Sequence, residues 1–223
     1  MREMTIGKND AGARLDRFVS KAVPLLPPAL LQKYIRLKRI KVDGKAARRD
    51  DRLESGSVVQ LYINDEFFDA PAPENAFLSV FRPSLDIVYE DENILLVNKR
   101  PGILVHPDEN ERVNTLLTHI QAYLYQKNEW GPRRENTFAP ALCNRIDRNT
   151  GGIVIAAKNA QALRILNEKI QAREIKKYYL CIVTGTPKPP EGELHGFLLK
   201  DEAKKQVAVY QRPVPGGRSA ATR

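Results

Sequence analysis

Apolar residues recur along this chain with two periods, and the periods mark its elements. Leu15, Phe18, Val19 and Ala22 are spaced three and four apart, which predicts an amphipathic helix. Pro24, Pro27 and Pro28 interrupt it, and a second helix is predicted from about Pro28, since proline suits a first helical turn. Its apolar positions are Leu30, Leu31, Tyr34 and Ile35. The alternating run Ile40–Lys45, which contains an Asp43-Gly44 turn, and the run Val58–Ile63 predict strands. Residues 65–83 have prolines and acids but no sustained period, and are expected to form a linker.

Period-two and continuous apolar runs predict strands at 86–90 and 94–97, joined by an Asp-Glu-Asn turn, and at 153–157. Helices are expected over Thr115–Gln126, with Leu116, Leu117, Ile120, Tyr123 and Leu124 inward, and after Asn159, a good N-cap, with Leu163, Leu166 and Ile170 inward. Residues 127–136 are polar and are expected to be an exposed loop. A strand is predicted over Tyr178–Thr184, and a hairpin from 195–200 and 205–210. The sum is an α+β protein. A small helix–helix–strand unit over 1–64 and a linker over 65–83 precede a second domain over 84–223.

Composition narrows the class. The 223 residues are 42% hydrophobic and 28% charged, as in ordinary globular proteins. The formal charge is +9, with 14 Lys/Arg against 7 Asp/Glu in residues 1–63. A basic excess gathered in one quarter of the chain points to a polyanion; a solvated basic face is the plain alternative. The two cysteines and three scattered histidines have no metal-ligand spacing, so no metal is expected. Both cysteines are expected to be packing groups. No apolar run reaches the length of a membrane span and no signal peptide is recognisable, so a reduced, cytoplasmic setting without membrane contact is expected.

The chemistry is concentrated in Asn144-Arg145-Ile146-Asp147-Arg148-Asn149-Thr150-Gly151-Gly152. One carboxylate stands between two guanidinium groups, just before a strongly β-forming run. Flanking cations can hold an acid ionised or grip phosphates. A turn closed by an Asp side chain, with glycine supplying positive φ, also fits the residues alone. The order of residues resembles the catalytic motif of the RluA family of pseudouridine synthases. Two further stretches share the resemblance: Ile94 through Lys99-Arg100-Pro101-Gly102 to His106-Pro107, and Lys177-Tyr178-Tyr179 opening an apolar run. Together they span about Leu85 to Gly185.

The resemblance implies a pseudouridine synthase fold, a mixed and mainly antiparallel sheet with flanking helices around a cleft. It implies an isomerase that needs no cofactor. It assigns catalysis to Asp147, with Arg145 holding the target nucleotide out of its stack and Tyr179 over the uracil. Lys99 and His106 take structural roles, and Thr150, Gly151 and Gly152 shape the loop. Residues 1–64 resemble the αL RNA-binding domain of a ribosomal small-subunit protein, with Lys33, Arg36, Lys38, Arg39, Lys41 and Lys45 facing phosphates and Arg148 adding a contact in the second domain. The implied partner is RNA, with large-subunit rRNA first and tRNA second. Family members continue into a Gln-Ile-Arg segment that this chain lacks, so the chain is read as C-terminally truncated. An incomplete sheet with an open edge is then expected. An RNA-binding protein with a catalytically incompetent synthase-like domain is the alternative.

Overall fold

The computed structural model describes residues 1–68, 75–132, 134–201 and 206–223. These fall into two compact units, Met1–Ile175 and Lys176–Arg223. The expected boundary lay in 65–83 instead. Met1–Ile175 nevertheless holds two hydrophobic clusters, one formed mainly by residues before that segment and the other mainly by residues after it.

The first cluster belongs to β1 (Arg2–Thr5), α1 (Leu15–Ala22), α2 (Pro28–Arg36), β2 (Ile40–Val42), β3 (Lys45–Ala46) and β4 (Val58–Leu61). The sheet order is β1-β4-β2-β3, antiparallel throughout. Leu15, Phe18 and Val19 of α1 and Leu31, Tyr34 and Ile35 of α2 are buried with Ile40, Val59 and Leu61. Pro28 opens α2, as expected. Asp43 and Gly44 have φ of +49° and +76°, the geometry of a tight hairpin turn. β1 was not foreseen; four residues beside the N-terminus carry too short a pattern, and only pairing with β4 reveals it.

The segment after β4 is more than a connection. Its residues 69–74 lie outside the described residues, but a 3₁₀ turn at Ala76–Ser79 buries Phe77, and Val80 follows it into the second cluster. The Phe77 ring meets Tyr125 and Trp130 edge-on, each at 5.2 Å between centroids. Trp130 is buried and its Nε1 donates to the Phe138 carbonyl at 3.2 Å. The expectation of an exposed loop over 127–136 is therefore corrected at Trp130, a single aromatic that periodicity cannot detect among polar neighbours.

The second sheet contains β5 (Ile87–Glu90), β6 (Ile94–Lys99), β7 (Ala141–Leu142) and β8 (Gly152–Ala157), in the antiparallel order β5-β6-β8-β7. Leu95 and Val97 of β6 and Val154 and Ala156 of β8 pack with Leu116, Ile120 and Leu124 of α3 (Leu116–Gln126). Thr115 caps α3 and Asn159 caps α4 (Ala160–Gln171). The inward face of α4 is only partly covered, with Ala162 its one fully buried residue.

The two clusters are joined by polar contacts. Buried Asp10 accepts from Thr137 Oγ1 and from Asn136 Nδ2 (3.1 Å). Asn136 also donates to the Thr5 carbonyl at 2.8 Å. Asn9 donates to Glu135 Oε1 at 2.9 Å and accepts from the Ala160 N–H at 3.0 Å. A buried carboxylate that lost these donors would carry an uncompensated desolvation cost, so the contacts favour one docking geometry.

Unit Lys176–Arg223 holds a separate antiparallel sheet of order β10-β9-β11, from β9 (Leu194–Asp201), β10 (Gln206–Tyr210) and β11 (Arg218–Thr222). The hairpin of β9 and β10 was expected, with residues 202–205 outside the described residues; β11 was not. Residues 178–184, predicted as a strand, are not one. Leu180 and Ile182 are 105% and 103% exposed. β-propensity expresses packing on a pleated surface, and this run has no ladder partner among the described residues. Cys181 is exposed there, contrary to its expected packing role, while half-covered Cys143 has its thiol pushed up by burial to about 11. The α+β class holds, and among the described residues every ladder between the named strands is antiparallel. No helix among the described residues is long and apolar enough to cross a membrane.

An ion cluster ties β5, α3 and the end of β8 together. Glu90 Oε1 accepts from Lys127 Nζ (2.9 Å) and Lys158 Nζ (2.8 Å), and Oε2 accepts from Tyr123 Oη (2.7 Å). Burial alone would raise the Glu90 pKa, but these donors together bring it down from 4.5 to about 2. A carboxyl depressed in the folded state adds stability at pH above 4.5 and loses it as pH falls toward about 2. With solvent screening, the contribution is on the order of 1–3 kcal/mol. Glu90→Gln should therefore lower stability at pH 7 and flatten its fall between pH 4.5 and about 2, as read from urea unfolding at a series of pH values.

Candidate active site

The loop carrying Asp147 is built from the backbone outward. β6 and β8 pair along their whole length and end with Lys99 opposite Gly152. Lys99 is buried, with 1% of its surface exposed. Its Nζ donates to three carbonyls, Arg100 (3.1 Å), Ile103 (2.9 Å) and Arg148 (2.9 Å). An ammonium has three protons, so three acceptors satisfy it fully. The Arg148 carbonyl also accepts from the Gly102 N–H at 2.8 Å. The Lys-Arg-Pro-Gly turn and the Asp147 loop are thereby fastened to each other through one ammonium and one amide.

The other end of the loop is held by Asn144. Its Oδ1 accepts from the Ile155 N–H at 2.8 Å and its Nδ2 donates to the Ile153 carbonyl at 3.3 Å. An amide side chain thus continues the β7–β8 ladder where the backbone leaves it. Inside the loop, the Thr150 N–H donates to the Asp147 carbonyl at 3.1 Å. A Cβ on Gly151 would meet Pro101 Cδ at 3.3 Å, and Gly152 has a φ of +134°. The first glycine permits close approach to the proline turn and the second supplies a conformation that side chains rarely adopt.

Arg145, Asp147 and Arg148 are exposed on this frame, as are Asn149 and Gly151. Burial lowers the Lys99 pKa, and the negative charge of Asp147 opposes that shift. Lys99 thus feels the charge of Asp147 while its ammonium holds the backbone of the next residue, Arg148. His106 is shifted down by burial first and by the charge of Arg145 second, so its imidazole is favoured in the neutral form. The structure thus brings together Arg145, Asp147 and Arg148 with Lys99 and His106. Tyr179 lies in the unit Lys176–Arg223 and is exposed.

Residues 93–223, more than half of the chain, match the family described as RNA pseudouridylate synthase. The chain belongs to this family. An uncharacterized RNA pseudouridine synthase of Mycoplasma capricolum is 31% identical over 186 residues, which are 82% of this chain and 59% of that protein. Ribosomal large subunit pseudouridine synthase D of Xanthomonas campestris is 27% identical over 83% of this chain and 52% of its own length. Synthase C of Vibrio parahaemolyticus is 27% identical over 98% of this chain and 65% of its own. The chain thus spans between half and two-thirds of the length of these synthases.

The basic residues named in the N-terminal unit of this family member separate into groups. Lys33, Arg36 and Lys38 line a groove with Arg48 and Arg49. The Arg39 guanidinium lies over Tyr34, 5.5 Å from the ring centroid, and Lys41 Nζ lies over Tyr62 at 5.4 Å. Lys45 is exposed on β3. Arg48 and Arg49 were not among the expected contacts; only the fold of the chain after α2 brings them to the groove. Lys99 was expected to support the fold, but its contact with the Asp147 loop is invisible in sequence, where a lysine ending a strand reads as its first exposed residue.

Lys99→Met should leave three carbonyls without their donor and cost on the order of 2–4 kcal/mol, measured by thermal unfolding. Trypsin should also cut more rapidly after exposed Arg145 and Arg148. Lys99→Arg should not restore either property, since a planar guanidinium cannot address three converging carbonyls as an ammonium does.

Proposed function

We propose that this chain is an RNA pseudouridine synthase that isomerises uridines in structured RNA with Asp147 as its catalytic carboxylate. The observation that carries the reading is the double fastening of the 144–152 loop, by Lys99 from below and Asn144 from the side, which presents one exposed carboxylate between two exposed guanidinium groups. Fixed placement of a reacting group is a large part of catalytic power.

In the proposed reaction the bond between ribose C1′ and uracil N1 breaks, with Asp147 acting at the ribose as nucleophile or base. The base turns and C1′ bonds to C5. C5 then loses its proton and N1 gains one, so the product is an isomer and no oxidant, reductant or cofactor enters the balance. Arg145 holds the target nucleotide out of its stack, a step that chemistry on a base within folded RNA requires. Arg148 contributes a phosphate contact. The family resemblance gives Tyr179 the place over the uracil and the C5 proton.

The groove on α2, with Lys33, Arg36, Lys38, Arg48 and Arg49, supplies backbone affinity, which is salt-dependent and carries little sequence information. Arg39, Lys41 and Lys45 add phosphate contacts on the neighbouring hairpin. The 1–64 module is thus an RNA-binding appendage to the catalytic residues of 84–223. Large-subunit rRNA is the proposed substrate, because relatives of this chain carry the name ribosomal large subunit pseudouridine synthase. The proposed setting is the cytoplasm, where rRNA is found.

Asp147→Ala should abolish tritium release from RNA labelled at uracil C5, lowering turnover by at least about 10³-fold while leaving RNA affinity within a few-fold. Release that persists in the variant would remove Asp147 from the mechanism. RNA binding without release from either protein would favour the RNA-binding reading with an incompetent synthase-like domain.

A further inference from the structure

Three depressions on the unit Met1–Ile175 share lining residues and form one path. The first is the α2 groove, which includes Gln32 and Lys33. The second is a shallow hollow between α1 and α2, where Gln32 meets Arg17, Ser20 and Lys21. The third is a cleft of about 340 Å³ between α1 and α4, where Arg17 and Lys21 meet Arg52 and Arg164 above Phe138 and Leu163. Arg17 and Lys21 belong to both the hollow and the cleft, and Gln32 belongs to both the hollow and the groove. The path crosses from the N-terminal module to the module that carries Asp147.

The cations of the cleft are not neutralised locally. Arg17, Lys21 and Arg164 are exposed and have no ion-pair partner among the described residues. Asp10 on the cleft wall is turned to Thr137 and Asn136, and Asp16, which lines the neighbouring hollow, is paired with Arg14. The cleft is also built around a specific backbone position. Gly12 has a φ of +77°, its carbonyl accepts from Arg52 Nη1 at 2.8 Å, and a Cβ there would lie 3.4 Å from Arg164 Nη1. Converging unpaired cations repel each other and attract a polyanion.

We propose that this cleft is a second phosphate-binding surface, which takes a single-stranded segment of the RNA that also contacts the α2 groove. The inference rests on the RNA reading above and extends it to the substrate's path. The cleft lies at the small end of the volume range of ligand pockets, enough for part of one strand and not for a duplex. Its apolar floor of Phe138 and Leu163 suits a ribose or base edge, with guanidinium groups at the rim for phosphates. Both modules line the cleft, so an occupied strand would bridge them.

The test is fluorescence anisotropy of labelled single-stranded RNA oligonucleotides of increasing length over a range of salt. It compares the wild-type chain, an Arg17→Ala/Lys21→Ala/Arg164→Ala variant and a Lys33→Ala/Arg36→Ala variant of the groove. The triple variant should lower the slope of log affinity against log salt by about 2–3, weaken binding at least tenfold at moderate salt, and lose the affinity gained on lengthening the RNA. The three residues are exposed, so its melting curve should match wild type; Arg164→Lys alone should retain most binding. Unchanged affinity and slope in the triple variant, with weakening in the groove variant, would overturn the cleft and leave the RNA reading intact. A wild-type chain that binds no RNA would overturn the RNA reading itself, and the cleft with it.

Discussion

One buried ammonium organises the candidate site. Lys99 ends the central strand β6, and its Nζ gives all three protons to carbonyls of the two segments that meet there. Burying a lysine is costly unless it is paired and fully hydrogen-bonded. Here the cost is offset by three carbonyl dipoles and by the charge of Asp147. The consequence is structural and electrostatic at once. The same group that fixes the Arg148 backbone also feels the charge of Asp147. A hydrophobic residue at this position would fill the space and satisfy none of the carbonyls.

The surrounding residues follow from that constraint. With β6 fixed against β8, the loop between Asn144 and Gly152 must leave and rejoin the sheet within a short span. Asn144 imitates a strand backbone at one end, and Gly151 lets the chain pass close to Pro101 at the other. The N-terminal module is then docked through Asp10, Asn9, Asn136 and Ala160, polar contacts that are directional where an apolar contact would slide. Docking brings the cations of α1 beside Arg164 of α4, and so aligns basic surfaces from two modules.

Much of this was legible in the chain. The spacing of Leu15, Phe18 and Val19, the proline at the start of α2, the Asp43-Gly44 turn and the caps Thr115 and Asn159 each act within a few residues, and each element formed where its signal lay. The order Asn144 to Gly152 marked the loop for the same reason, since its turn chemistry is local. The errors share a cause. The run 178–184 has the composition of a strand but no partner, Trp130 is a core residue without periodic neighbours, and β1, β7 and β11 are short segments defined by distant ladders.

The sequence by itself determined the class of the protein, the helices and hairpins of its modules, the family motifs and the concentration of positive charge at one end. These depend on periodicity, turn residues and composition, which are properties of short stretches. The tertiary structure alone decided that Lys99 points inward to hold the Asp147 loop, that Arg48 and Arg49 join the α2 groove, and that Arg17, Lys21 and Arg164 converge. Each of these depends on residues far apart in the chain. Whether a charged side chain is a solvated end or a buried fastening is set by what packs over it.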